Sequence, residues 1–494
     1  MELFFLIIAS IVVSILINHG IRLHRKSKLP PGPVGFPIIG NLLELGPKPH
    51  EDLAKLAQKY GPLMTIQLGS NTIVVATTPD AAKEVLQRKD EACSGRLAPD
   101  ALNAMKNPEA AMLWMSPAND TWRAIRKALN MYLTNQTKLE TLSGLRHEVV
   151  NGVVEFIRES GRKKVDVDIG QLALAVGLNQ LSNTFLSQNV TNYEEHDNIG
   201  DFKHSIETVM EMLGKFNIAD IFPVLKPLDP QNIRGRAKVA YDWLDEVIEG
   251  LVSKRLKHRE SKLPRFGDML DSLLEYSQAN EDKFTLVHIK ALLVDLFIAG
   301  TDTASNTVTW IMTELLLNRD VLLKVREEVS QVVGKDGKIE EAKILGLTYL
   351  HAVINETMRL HTPVPLLVPH TTETEVKLGN YIVPPRTQVI INMWALARDP
   401  TFWENPTSFK PERFLTNGID YKGQNFEFLP FGSGRRRCPG MPLGHRMVSL
   451  LVASFVYHFD WKLPHGKQEI DKKEVFGLSL QKAVPLLVTP IPLK

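Results

Sequence analysis

The chain has 494 residues and 44% hydrophobic content, enough to build a large core. Its 58 lysines and arginines against 56 acidic residues, with no basic stripe, exclude nucleic acid as the expected partner. Only two cysteines, Cys93 and Cys438, are present, which excludes a disulfide framework and points to a reducing compartment.

Residues 3–21 form a run of 19 without formal charge. As a helix they would span about 28 Å, close to the hydrocarbon core of a bilayer. Arg22, His24, Arg25, Lys26 and Lys28 follow at once. Apolar first and basic after places the body on the cytosolic side. A cleaved signal peptide would need the reverse charge order and a small-residue cleavage site, and both are missing. Next comes Leu29-Pro30-Pro31-Gly32-Pro33, a stiff extended spacer because proline fixes φ and removes donors. No repeat or low-complexity linker follows. The expected organisation is a transmembrane anchor over 1–21, a basic and proline-rich hinge over 22–40 and one catalytic domain over 41–494.

The first folded element is predicted to be a hairpin, Leu63–Leu68 and Thr72–Ala76 around Gly69-Ser70-Asn71. A helix is expected from Pro79, with Thr78 as its N-cap. Trp122 and Arg126 stand at i,i+4 and share a helical face. No proline occurs between Pro264 and Pro363, an interval that reads as successive helices. The longest is predicted over 284–318, and its apolar centre, Ala291 to Gly300, marks a helix through the core. Within it, Ala299-Gly300-Thr301-Asp302-Thr303 is a poor choice for structure alone, because side-chain oxygens compete for backbone bonds. A hydroxyl turned onto the i−4 carbonyl can open the helix and leave room for a ligand.

Glu356 and Arg359 stand at i,i+3 on a helix flanked by Leu350, Val353, Ile354 and Leu360. A surface ion pair would be worth little, but these flanks predict burial, where each charge needs partners. Pro411-Glu412-Arg413-Phe414 offers one in Arg413. Past Pro363 the chain breaks into short strands (381–383 and 388–392) and loops, including Pro369-His370, before helical spacing resumes over 441–459.

Between them lies Phe431-Gly432-Ser433-Gly434-Arg435-Arg436-Arg437-Cys438-Pro439-Gly440. A thiolate ligand needs cations and backbone donors to hold its charge. Glycines let backbone approach closely, and Arg436 suits a carboxylate. A buried structural cysteine beside a basic turn is the bland alternative. The spacing F-x-x-G-x-R-x-C-x-G fixes five positions, which a random chain of this length matches roughly once in 10⁴ trials.

These motifs, in this order and over essentially the whole chain, resemble the cytochrome P450 family. The resemblance implies a mainly α fold with a minor β region. It implies haem b, with Cys438 as the axial iron ligand inside the frame of Phe431 and Gly434. Arg436, Trp122, Arg126 and His370 would face the haem propionates. Thr303 would assist dioxygen activation, and Asp302 would belong to a proton-delivery path; Ala304 stands where many relatives have a second hydroxyl. Glu356, Arg359 and Arg413 would form the family's structural triad. Met112, Phe297, Ala299, Val364, Leu367 and Leu478 would line a pocket for a small apolar or amine-bearing substrate, with Met115 and Ser479 nearby. NADPH would act indirectly, through NADPH–cytochrome P450 reductase at the endoplasmic-reticulum membrane, with Arg435 and Arg437 as docking charges or simply solvated arginines.

Within the family the chain looks like the plant A-type enzymes, marked by Phe36-Pro37-Ile38-Ile39-Gly40-Asn41 and Ala397-Arg398-Asp399-Pro400. It is most similar there to the alkaloid-oxidising branch of berbamunine synthase, N-methylcoclaurine hydroxylase and littorine mutase. The leading expectation is oxidative rearrangement of a tropane ester, littorine to hyoscyamine aldehyde. Geraniol-type terpenoid hydroxylation and benzylisoquinoline oxidation are the alternatives. No acidic residue is assignable to a substrate amine from the sequence. A haem-thiolate isomerase could dispense with the Thr303 region, and an inactive scaffold would not need Cys438, Thr303 and the triad together.

Overall fold

The protein's structure, a computed structural model, describes residues 28–191, 196–261, 263–333, 337–466 and 469–493, so the apolar segment 3–21 lies outside the described residues. Among those described, no helix is long and apolar enough to cross a membrane. The expected hairpin forms: β1 (Leu63–Leu68) pairs antiparallel with β2 (Asn71–Ala76), Leu63 opposite Ala76. The next helix starts at Pro79, where the Thr78 side chain accepts the Ala81 amide.

The body is built on long helices. We label α1 (Asp120–Leu133), α2 (Ile169–Leu186), α3 (Leu286–Leu317), α4 (Thr348–Leu360) and α5 (Met441–His458). α3 begins with a capping box, in which the His288 ring accepts the Thr285 amide at 3.0 Å and the Thr285 side chain accepts in return. It runs through the centre against α2 and α5, which explains why nearly every residue of α2 is buried. Helices with apolar residues all round must be enclosed by neighbours rather than lie on a surface. A four-stranded sheet closes one side in the order β1-β2-β4-β3, where β3 is His370–Thr371 and β4 is Gln388–Ile391. β4 runs parallel to β2, and β3 returns antiparallel, carrying His370 toward the interior.

A buried histidine under this sheet makes stability sensitive to acid. Neither ring nitrogen of His50 has a hydrogen-bond partner, Nε2 stands 4.0 Å from Glu51, and the ring lies 5.3 Å from both Trp394 and Phe476. Burial lowers its pKa from 6.5 to about 4, more than Glu51 and Glu474 raise it. Between those values the unfolded chain binds the proton more readily than the folded one, so stability is retained above 6.5 and lost as pH falls toward 4. Melting curves across that window should show His50→Phe flattening the decline; an unchanged slope would exclude His50 as a contributor.

Candidate active site

The loop before α5 folds around its thiol. The Cys438 amide donates to the Phe431 carbonyl at 2.9 Å, closing the loop on itself. Gly434 has φ +69, and a Cβ there would sit 2.2 Å from the Leu86 carbonyl oxygen, so only glycine fits. Burial raises the pKa of Cys438, while the amides of Gly440 and Met441 and the charges of Arg126 and Arg437 pull it back down. The backbone donors expected at the sulfur are therefore present, at the N-terminus of α5. Phe431 stands beside it, edge-on to Tyr421 at 5.8 Å between ring centroids.

Above the thiol opens a cavity of about 350 Å³. At its Cys438 end three guanidiniums line the wall: Arg96, Arg126 and Arg436. None forms an ion pair among the described residues. Arg436 donates to the carbonyls of Ser94, Leu113 and Met115 at 2.9, 3.3 and 2.5 Å and lies over the Trp122 ring at 5.4 Å. Arg126 donates to the Arg437 carbonyl at 2.7 Å. Arg96 donates to the carbonyls of Val368 and Pro369, and its Nε has no partner. Burial holds all three below the ordinary arginine range, Arg436 at about 10, because their charges lack a counter-ion. The Trp122 Nε1 is buried and unpaired as well. His370 lines the same wall, its Nδ1 donating to the Cys93 carbonyl at 2.8 Å. Burial, followed by Arg96, keeps its ring neutral.

On α3 the Thr303 hydroxyl donates to the Ala299 carbonyl at 2.7 Å, as the sequence predicts, and both residues line the cavity. Asp302 does not. Its carboxylate accepts from Ser479 at 2.6 Å and Gln481 at 2.7 Å, on the far side of the helix, and burial raises its pKa. Asp302 thus ties α3 to the hairpin of Glu474–Val475 and Gln481–Lys482, away from the cavity wall.

Met112, Ala299, Val364, Leu367 and Leu478 line the cavity as expected. Phe297 is a correction. It turns away, fully buried, with its ring 5.9 Å from Phe185 and 6.0 Å from Phe202. Met115 and Ser479 likewise stay out of the lining. Two charged lining residues were not read from the sequence: Arg96, a lone arginine in a loop, and Asp295, the sole carboxylate of the wall among the described residues. Neither carries a motif.

The triad is closed. Arg359 meets Glu356 through Nε and Nη2 at 2.7 and 2.8 Å, and Arg413 Nε reaches the same carboxylate at 3.1 Å. The Lys410 amide adds a further bond at 2.8 Å, and Arg359 Nη1 donates to the carbonyls of Ala397 and Pro406 at 2.7 Å each. Both charges of the inner pair are fully buried, so this is the satisfied arrangement that buried ions require. Arg435 is half exposed and pairs with Asp90 and Glu91 at 3.1 and 3.4 Å.

A model of the cytochrome P450 family matches residues 30–488. The chain belongs to the cytochrome P450 family. Its fold is that of a zebrafish cytochrome P450 structure with progesterone, at TM-score 0.77 and 23% identity, over 90% of this chain and 99% of that one. Among plant relatives, geraniol 8-hydroxylase of Swertia mussotii is 43% identical over 95% of both chains. Geranylhydroquinone 3″-hydroxylase of Arnebia euchroma is 42% identical over 96% of both. These place this P450 with the plant CYP76 enzymes. They give no support to the alkaloid-oxidising branch or to littorine mutase, the leading expectation from the sequence.

The chain is therefore a monooxygenase that uses haem b and electrons from NADPH through a reductase, with small hydrophobic substrates. The residues present fit that cofactor. A thiol bonded by amides lies at one end of the cavity, and three unpaired guanidiniums with the free Trp122 N–H offer what two propionates need.

Proposed function

We propose that this P450 hydroxylates a small terpenoid, a geraniol-like alcohol, with the tropane and benzylisoquinoline substrates set aside. The observation that supports this most is the cavity wall. Away from the Cys438 end it is mostly apolar, with Met112, Leu181, Phe185, Met210, Leu213 and Val364 among its side chains, which suits an isoprenoid hydrocarbon. Relatives more than 40% identical over nearly the whole chain are named for geraniol and geranylhydroquinone. An amine-bearing substrate is the second reading, favoured by Asp295 in the wall.

In this reading Cys438 would supply the thiolate that holds the haem iron, with the Gly440 and Met441 amides bonded to its sulfur. Arg96, Arg126, Arg436, Trp122 and His370 hold the propionate edge. The bound haem supplies dioxygen activation. Thr303 sits on the cavity face of α3 with its hydroxyl on the Ala299 carbonyl, where it can hand a proton into the cavity. The apolar wall excludes water and presents a substrate carbon to the reacting centre. Glu356, Arg359 and Arg413 brace the loop and take no part in chemistry.

The segment 1–21 is read as a single-pass endoplasmic-reticulum anchor, with 22–40 as its hinge and the rest cytosolic. Val34, Phe36 and Ile38 of the hinge are exposed, as are Val224 (83%) and Leu228. The turn between β1 and β2 joins the two groups: the Gly69 amide donates to Ile39 at 3.2 Å and the Ser70 amide to Ile221 at 3.1 Å. Such an apolar neighbourhood suits a lipid surface.

Microsomes holding the full chain and a plant reductase, given NADPH and matched panels of terpenols and alkaloids, test the substrate class. Conversion of a terpenol to its hydroxylated product is expected; oxidation of alkaloids alone would reject the proposal.

A further inference from the structure

Among the described residues, Asp295 is the sole carboxylate in a part of the cavity that is otherwise mostly apolar, with Tyr241 as a further polar side chain. Asp295, Ala299 and Thr303 all line the wall, at i, i+4 and i+8 on one face of α3. Eight residues of helix place Asp295 about 12 Å along the axis from Thr303, a separation comparable to an extended ten-carbon chain. The amides of Met112 and Leu113 bond to its carboxyl group. Its Oδ2, however, is buried and has no hydrogen-bond partner. A buried polar atom without a partner is costly and uncommon. Support of the Met112–Leu113 segment accounts for one side of the group and leaves the other side unexplained.

We propose that Asp295 is the polar anchor of the substrate cavity, holding the hydroxyl of a terpenoid alcohol while the far end of the chain reaches Thr303 and Cys438. The anchor rests on the terpenoid reading above and adds an orientation to it. Burial pushes the Asp295 carboxyl up to about 7, so the acid form is available near neutrality and can donate to the alcohol oxygen. The hydroxyl hydrogen can in turn point at an acceptor on the same group. An alcohol bound this way presents its distal carbons, not its oxygen-bearing carbon, to the reacting centre.

The test compares dissociation constants from substrate-induced spectral shifts of the full-length holoenzyme for two matched pairs. One pair is geraniol and 2,6-dimethylocta-2,6-diene, which lacks the hydroxyl; the other is n-decanol and n-decane. Wild type should prefer each alcohol by about tenfold, the worth of one buried hydrogen bond. Asp295→Ala should abolish that preference with hydrocarbon binding little changed, and Asp295→Asn, which keeps a donor and an acceptor, should retain most of it. Equal weakening of alcohol and hydrocarbon would mean a purely structural role and overturn the anchor. Should Asp295→Ala fail to fold, the wild-type preference and its response in Asp295→Asn still decide, since no preference in wild type overturns the proposal. Preference for decanol without geraniol binding would sink the terpenoid reading and leave the anchor standing. Equal binding of geraniol and its hydrocarbon would do the reverse. A preference seen only for N,N-dimethyldecylamine, and lost in Asp295→Asn, would replace the hydroxyl with an amine.

Discussion

Cys438→Ser should give a folded protein whose reduced carbon monoxide complex lacks the thiolate-type Soret shift and whose turnover falls below detection. The sulfur is the one group at the base of the cavity that can carry an anion toward iron, with the Gly440 and Met441 amides and the Arg126 and Arg437 charges offsetting its burial. A serine hydroxyl stays protonated under the same conditions and withholds the electron density that favours O–O cleavage. Circular dichroism should change little, because the loop is closed by the backbone bond from residue 438 to Phe431, which serine keeps. An unchanged Soret shift in the variant would remove Cys438 from the ligand position.

Glu356→Ala should be the most damaging single change outside the cavity. It leaves Arg359 fully buried without its counter-ion, and deprives Arg413 and the Lys410 amide of their acceptor. Breaking a buried pair from one side costs about 3–5 kcal/mol, a large part of a typical total of about 5–15 kcal/mol. Thermal melting and haem content of purified protein should both collapse. Glu356→Gln, which preserves shape and part of the bonding, should fall between. A melting temperature within a few degrees of wild type for Glu356→Ala would mean that the triad does not brace the loop.

What was legible in the sequence was chemistry packed into a few consecutive residues. The Phe431–Gly440 loop, the Thr303 hydroxyl on its i−4 carbonyl and the Glu356–Arg359 pair each depend on local spacing, so the local pattern carries them. The hairpin, the Thr78 cap and the long central helix were legible for the same reason. Facing was harder. Residues one or two apart on a helix point in different directions, and this is how Asp302 and Phe297 turn away from the cavity that Thr303 and Ala299 face. Least legible were Arg96 and Asp295. Arg96 matters because the fold brings it to Val368, Pro369 and Arg436, and Asp295 because the fold brings Met112 and Leu113 to it. None of these neighbours is close in the chain. Branch within the family was also hard to read, since the haem-binding motifs are common to all its members and the pocket wall is set by scattered apolar side chains.

The most direct test of the account is incubation of the full chain with its reductase, NADPH and isotopically heavy dioxygen, using geraniol and littorine in parallel. The account predicts one heavy oxygen atom in a hydroxylated geraniol, placed away from the existing hydroxyl, and no product from littorine. Heavy oxygen or rearrangement in the littorine arm alone would contradict it.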